Sequence, residues 1–210
     1  MDGQPLDRRL LIGLTLAIVM MFGRIGLAAD PPIPESLAGQ LLVAAPSMPD
    51  VRFAESVIYM VVHDETGAVG VMVNRPMGEV SLADLIDTLD LETEAAVGRI
   101  GVHYGGPVEN DLGFVLHSGE GADLSDDRTL GIAGGFVLSQ DEAVIQAIVA
   151  GHGPRRRLLV FGYAAWGPGQ LEKEMQRDDW LVMPADEDMV FGGDHDTKWR
   201  RALDRRGVDL

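Results

Sequence analysis

The 210-residue chain has no cysteine. That excludes disulfides, thiol nucleophiles and thiolate metal ligands. Positive charge is scarce, with 17 Lys and Arg against 33 Asp and Glu and a formal net charge of −16. Such a field repels a phosphate backbone and disfavours nucleic acid as a partner. Metal spacing is absent too: His63, His103, His117, His152 and His195 form no HExxH or related pattern, and no metal is expected. No serine stands in a GxSxG elbow, and no Lys-Ser/Thr follows the glycine-rich residues 162–169, which rules out a P-loop. The chain therefore shows no catalytic constellation and predicts no cofactor. There is also no repeat, no heptad and no sustained βαβ alternation.

What is present begins with 26 glycines and 46% hydrophobic residues, enough for one domain with a proper core and many turns or close backbone approaches. The first residues stand apart. Arg8 and Arg9 precede an apolar run over 10–22, and small residues follow at 26–29. This pattern predicts a secretory signal over 1–28, hence export to the periplasm, or an uncleaved anchor that meets the membrane through residues 10–29. The run is short of the ~20 residues of a membrane span. A start at Met20 or Met21, with a cytosolic protein, is the alternative. A proline-rich linker over 29–36 leads to a single domain over 37–210.

Within that domain, "GQLLVAAP" and "RRRLLVFGYA" read as buried strands. The stretch "ESVIYMVVHDETGAVGVMVNRP" reads as a hairpin turning at Gly67. "RIGVHYGGP", "GFVLHS" and "TLGIAGGFVL" are each expected as a strand, and "WLVMPA" and "DMVFG" as short ones. Ser81 with Asp84, and Ser139 with Glu142, predict helix starts; the second helix stops at Gly151. "PGQLEKEMQRDD" and "DTKWRRALDRRG" predict two more helices, with Asp196 capping the last and Trp199, Ala202 and Leu203 on one face. The predicted class is α+β: a mixed, mostly antiparallel sheet or barrel-like core with three to four peripheral helices.

Five residues are candidates for a binding site. Arg75 in "VNRP", beside Asn74, suits a carboxylate or phosphate clamp, or an ion pair with one of many acids. His117 alternates on a strand in "FVLHS", where a neighbour can satisfy it. Trp166 sits on a glycine-rich loop and faces either a partner or the core. Gln170 can cap the helix that follows, and Gly162 suits close backbone packing. Glu172 and Glu174 in that helix complement its dipole and oppose a phosphate. Arg155, Arg156, Arg157, Arg200, Arg201, Arg205 and Arg206 could form a local positive face or pair with surface acids.

"SVIYMVVHDETGAVGVMVNRP", "YGGPVENDLGFVLHS", "GYAAWGPGQLEKE" and "WLVMPAD" occur in that order, and together they resemble the YqgE/AlgH family of bacterial proteins from about Leu37 onward. The resemblance implies one compact α+β unit. It implies signature residues at Asp50, Phe53, Ser56, Tyr59, His63, Gly67 and Asn74 to Pro76. Others are Gly105 to Pro107, Asp111, Gly113, Phe114, His117, Ser118, Gly162, Tyr163, Trp166 to Glu172 and Trp180. Ala165 departs from the family's "GWGPGQ". The family implies a cytosolic protein, against the leader-like start, and it carries no established activity. The expectation is a non-catalytic binding or regulatory protein with an unknown protein or small-molecule partner. The alternatives are a hydrolase-like enzyme using His117, Arg75 or Asp111, and a transcriptional regulator.

Overall fold

The computed structural model describes residues 36–89, 97–120 and 122–207. The expected leader or anchor and nearly all of the linker lie outside these residues. Among the described residues no helix is long and apolar enough to cross a membrane.

The chain opens with β1 (Gln40–Ala44), β2 (Val57–Asp64), β3 (Gly67–Met72) and β4 (Pro76–Ser81). Then come α1 (Leu82–Leu89), β5 (Arg99–Tyr104), β6 (Val108–Ser118), β7 (Thr129–Ile132) and β8 (Phe136–Ser139). The last part holds α2 (Glu142–Val149), β9 (Arg157–Trp166), α3 (Gln170–Gln176), β10 (Trp180–Pro184), α4 (Glu187–Phe191) and α5 (His195–Arg206). Eight strands follow the order β10-β1-β2-β3-β9-β6-β8-β7, and the β4–β5 pair joins through β5 and β9. The β5–β9 pairing is parallel; the others are antiparallel. The sheet curls. Ala133, in the β7–β8 turn, accepts a hydrogen bond from the Tyr59 hydroxyl at 3.1 Å, although β7 and β8 end the strand order opposite β10 and β1. The class is therefore α+β, as the meandering strand pattern predicts.

Alternation along the strands divides the core. Leu41, Val43, Val57, Tyr59, Val71 and Val73 face one cluster with residues of α4 and α5. Leu42, Ala44, Ile58, Met60 and Met72 face another with Leu171, Trp166 and Trp180. Successive side chains of a strand point to opposite faces, and here both faces are covered. That is why "VIYMVV" is continuously apolar rather than alternating. A third cluster packs Ile145, Ile148 and Val149 of α2 on Val115 and Leu159.

β9 is the centre. One edge pairs with β6 along its length. The other is shared: Leu159 to Phe161 pair with β5, and Ala164 to Trp166 pair with β3. Gly162 stands at the handover with φ +72°. A Cβ there would lie 2.5 Å from the Gly106 carbonyl oxygen; one on Gly105 would lie 2.2 Å from that of Gly162. The Gly105 N–H donates to Phe161 and its carbonyl accepts from Met72, at 2.7 and 2.8 Å. The two sequence-distant glycine motifs "YGGP" and "FGY" are thus one backbone crossing.

Four local expectations are corrected. "DMVFG" is helix α4, not a strand, because the Asp186 carboxylate accepts the Met189 N–H at 2.8 Å and caps it; it brings the helices among the described residues to five. "TLGIAGGFVL" is a hairpin, since Gly134 and Gly135 at φ +90° and +85° turn the chain. At α2 the cap is Asp141, accepting from Ala143 at 3.0 Å; Ser139 instead accepts the Asp141 N–H. At α5 the cap position is Asp194, not Asp196. The Ser81 hydroxyl does accept the Asp84 N–H at 3.0 Å, as predicted.

Gly162→Ala combines a left-handed backbone with a clash against backbone, and should cost about 3 kcal/mol or more. Gly135→Ala shares the positive φ, but nothing lies within 4 Å of its Cβ, so it should cost about 1–2 kcal/mol. Equal losses in urea unfolding would show that the crossing itself contributes nothing.

Candidate functional site

The glycine-rich stretch that ends β9 folds inward. Trp166 is 5% exposed. Its indole N–H donates to Glu174 Oε2 at 2.9 Å, and the Trp180 N–H donates to the same oxygen at 2.9 Å. Gln170 donates to the other carboxylate oxygen at 2.9 Å and accepts the Gly167 N–H at 3.1 Å. Phe53 completes the cluster, with its ring centroid 6.2 Å from Trp166 and 5.7 Å from Trp180. Glu172 serves elsewhere: its Oε1 lies 2.9 Å from His63 Nε2. The Leu37 N–H donates to His63 Nδ1 at 3.0 Å, so the ring proton sits on Nε2 and is donated to Glu172.

Asn74 and Arg75 hold the turn before β2. Asn74 accepts from the Val57 N–H at 2.8 Å and donates to the Glu55 carbonyl at 2.9 Å; Arg75 donates to the Ala54 carbonyl. Glu55 has φ +57°, a conformation that such tethering maintains. Arg75 thus has no acid partner among the described residues. Three of the seven clustered arginines are paired with acids: Arg156 with Glu187, Arg201 with Asp188 and Asp194, and Arg205 with Asp186.

A second polar cluster lies under α5. Lys198 is fully buried and donates to the Val73 and Val190 carbonyls at 3.0 and 3.1 Å. Burial pulls its pKa down to about 8. His103 and His195 place their Nε2 atoms 3.3 Å apart, and neither Nδ1 has a partner. Burial, then the His195 and Lys198 charges, depress His103 to about 4; burial depresses His195 as well. This cluster was missed in the sequence, although Lys198 stands four residues before Ala202 on the buried face of α5.

Two clefts among the described residues are distinguished by their lining. One, of about 240 Å3, lies at the start of α5. The larger, of about 420 Å3, lies between α2, the end of β6 and residues 152–155. Of the five candidate residues, only His117 lines either cleft; Asn74, Arg75, Trp166 and Gln170 do not. His117 is 3% exposed. Its Nδ1 lies 2.8 Å from the Ser118 carbonyl oxygen, and its Nε2 is buried without a partner. A carbonyl only accepts, so Nδ1 carries the proton and Nε2 presents a lone pair. Burial lowers the ring's pKa, against the opposing effect of the Ser118 carbonyl. No group of three or more His, Asp or Glu among the described residues could hold a metal ion.

A family model described as AlgH-like matches residues 41–210. The chain belongs to this family. A UPF0301 protein of Afipia carboxidovorans is 46% identical over 181 residues, covering 83% of this chain and 85% of that one. Another, from Gluconobacter oxydans, is 46% identical over 169 residues, covering 80% and 89%. The solution structure of the AlgH protein from Pseudomonas aeruginosa superposes with a TM-score of 0.69 at 38% identity, over 86% of this chain and 94% of that chain. A crystal structure of a protein from Corynebacterium diphtheriae gives 0.63 at 26% identity, over 85% and 90%. The relatives share a fold whose biochemical function is uncharacterised.

The His103 shift sets a pH dependence. Its folded pKa lies below the unfolded value near 6.5, so the folded state resists protonation. Stability is undiminished above about pH 6.5 and falls as pH drops from there to about 4, by up to about 3 kcal/mol. Urea unfolding across that window should show a shallower loss for His103→Leu than for the parent. An unchanged slope would show that His103 does not contribute.

Proposed function

We propose that this protein is a non-catalytic binding protein whose ligand site is the cleft around His117. The observation that carries this reading is the His117 ring: on the wall of a cleft of ligand size, it holds a buried acceptor with no partner. Buried polar atoms are nearly always paired, so an exception in a residue that lines a cleft of a few hundred Å3 selects that cleft as the candidate ligand site. Asn74, Arg75, Trp166 and Gln170 belong in this reading to the scaffold rather than the site.

The hydrolase-like alternative asks His117, Arg75 and Asp111 to converge. Arg75 is bound to the Ala54 carbonyl. Asp111 lies in the irregular stretch of β6 between Val108 and Gly113, and it does not line the cleft that His117 lines. The regulator alternative needs a cationic face, against a net charge of −16 and with Arg156, Arg201 and Arg205 already paired with acids.

The test is a fragment screen of chemically mixed small molecules against the full chain, read by amide chemical shifts. Hits should perturb His117, Thr129, Val144 and His152, and His117→Phe should weaken them about ten-fold or more. Hits confined to other surfaces, or turnover of a bound fragment, would overturn the reading. For the compartment we propose the periplasm, on the pattern over 8–29 alone. Sequencing the mature N-terminus should find a start near Ala29 or Asp30; a start at Met1, Met20 or Met21 would count against cleavage and export.

A further inference from the structure

We propose that His63 is a pH-sensitive latch where the chain enters the domain: a second proton on its ring releases Ser36 to Ala38 from the fold. The side chain is 1% exposed, and both ring nitrogens are committed. Nε2 lies 2.9 Å from Glu172 Oε1, and Nδ1 accepts the Leu37 N–H at 3.0 Å. A backbone N–H only donates, so Nδ1 is the bare nitrogen and Nε2 carries the proton. Glu172 accepts that proton from the neutral ring and the charged ring alike. The second proton of an imidazolium therefore goes to Nδ1, the atom that the Leu37 N–H faces. Two N–H groups then meet across 3.0 Å, and the backbone one has to leave. The bond to Leu37 and the charge on His63 exclude each other, so proton uptake is linked to release.

What the latch holds is short. The Ser36 hydroxyl donates to the His63 carbonyl at 2.8 Å, so one residue grips two successive residues of the entering chain. Leu37 is buried in the cluster of Trp166 and Leu171. One residue past Ala38 the hold passes to other groups. The Gly39 N–H donates to the Met60 carbonyl at 2.8 Å, and a Cβ on Gly39 would lie 2.1 Å from the Ala133 carbonyl oxygen. The release therefore stops at Gly39, and β1 stays in the sheet. Few charges face the ring. From α3 comes Glu172, while Lys173 is exposed and Glu174 is held by two indole N–H groups. β3, which sets Ala68 opposite His63, has no charged residue, and neither have residues 36–39. On β2 itself Asp64 follows, its carboxylate bonded by the Thr66 hydroxyl and N–H, which hold it below the usual carboxylate range. The charged ring forms an ion pair with Glu172. Acid thus exchanges a hydrogen bond to the entering chain for an ion pair within the domain, and the latch has two defined states.

The test is a pH titration of the full chain downward from neutral, read at the His63 ring nitrogens by NMR and at the amides by hydrogen exchange. At neutral pH the ring proton should sit on Nε2. As the ring titrates, protection of the Leu37 amide, taken relative to an unfolded chain at the same pH, should fall about ten-fold or more with the same midpoint. The Gly39 amide and those of β2 should keep theirs. His63→Asn retains an acceptor near the Nδ1 position but takes no second proton, so its Leu37 amide should stay protected across the range. Glu172→Gln removes the charge that faces the ring, and the midpoints of the ring and of Leu37 should move together to lower pH. The parent's titration decides the matter if neither variant folds. A proton on Nδ1 at neutral pH, a Leu37 amide unmoved while the ring titrates, or a ring that stays neutral until the whole chain unfolds would each overturn the latch. Release in His63→Asn at the parent's midpoint would overturn it too, and assign the pH response to a carboxylate.

Discussion

The structure depends on a backbone crossing at Gly162, where β9 passes from one neighbour to another on a single edge. Strand spacing leaves no room for a side chain where the Gly105, Gly106 and Gly162 backbones meet. Because β9 pairs with β3, β5 and β6, this one contact joins the β1–β3 portion of the sheet to the β5–β8 portion. All three core clusters hang from it: β3 carries residues of two and β9 carries residues of all three. The curl that brings Ala133 to Tyr59 follows from the same junction, since a sheet with strands leaving one edge in two directions does not stay flat.

Around that junction, polar groups are buried in sets, and the sets differ in how completely they are satisfied. Glu174 holds two indole N–H groups and Gln170, while Asn74 uses both ends of its amide. These closed sets fix loops to the sheet, which explains glycine-rich and aromatic motifs without a ligand. Two sets stay open. Under α5, the His103 and His195 Nδ1 atoms are orphaned beside a buried lysine, an arrangement that favours neutral rings and ties stability to pH. At His117, the orphan lies beside a cleft. A buried acceptor without a partner is costly, and this one belongs to a residue that lines the larger cleft.

The sequence alone conveyed the class of fold, because that rests on local signals. Continuous apolar runs marked strands buried on both faces, "HDETG" marked the first hairpin, and Trp199, Ala202 and Leu203 marked the inner face of α5. It failed where a local signal had a near equal. The Asp186 cap outweighed the strand-like "DMVFG". Asp141 displaced Ser139 at α2 by lying one position before the helix. A glycine pair made a turn inside what looked like one strand. The candidate site was legible only in part, since His117 lines the cleft while Trp166 and Gln170 belong to the Glu174 cluster and Asn74 and Arg75 to the turn before β2.

What the sequence by itself determined is that this chain lacks thiol chemistry, carries a strongly negative field and folds as α+β, because composition and short-range periodicity suffice for these; the AlgH-like pattern came from the resemblance of its motifs. What only the tertiary structure decided is which polar groups are satisfied. Glu174 and Trp180 lie within six residues of each other, yet Trp166 joins them only once β9 turns into α3. Lys198 finds Val73 across the core, and His117 is left with a lone pair because its one committed nitrogen faces a carbonyl of its own strand. Hydrogen bonds between distant residues depend on distances that no spacing along the chain encodes, so the site emerges with the packing and not before it.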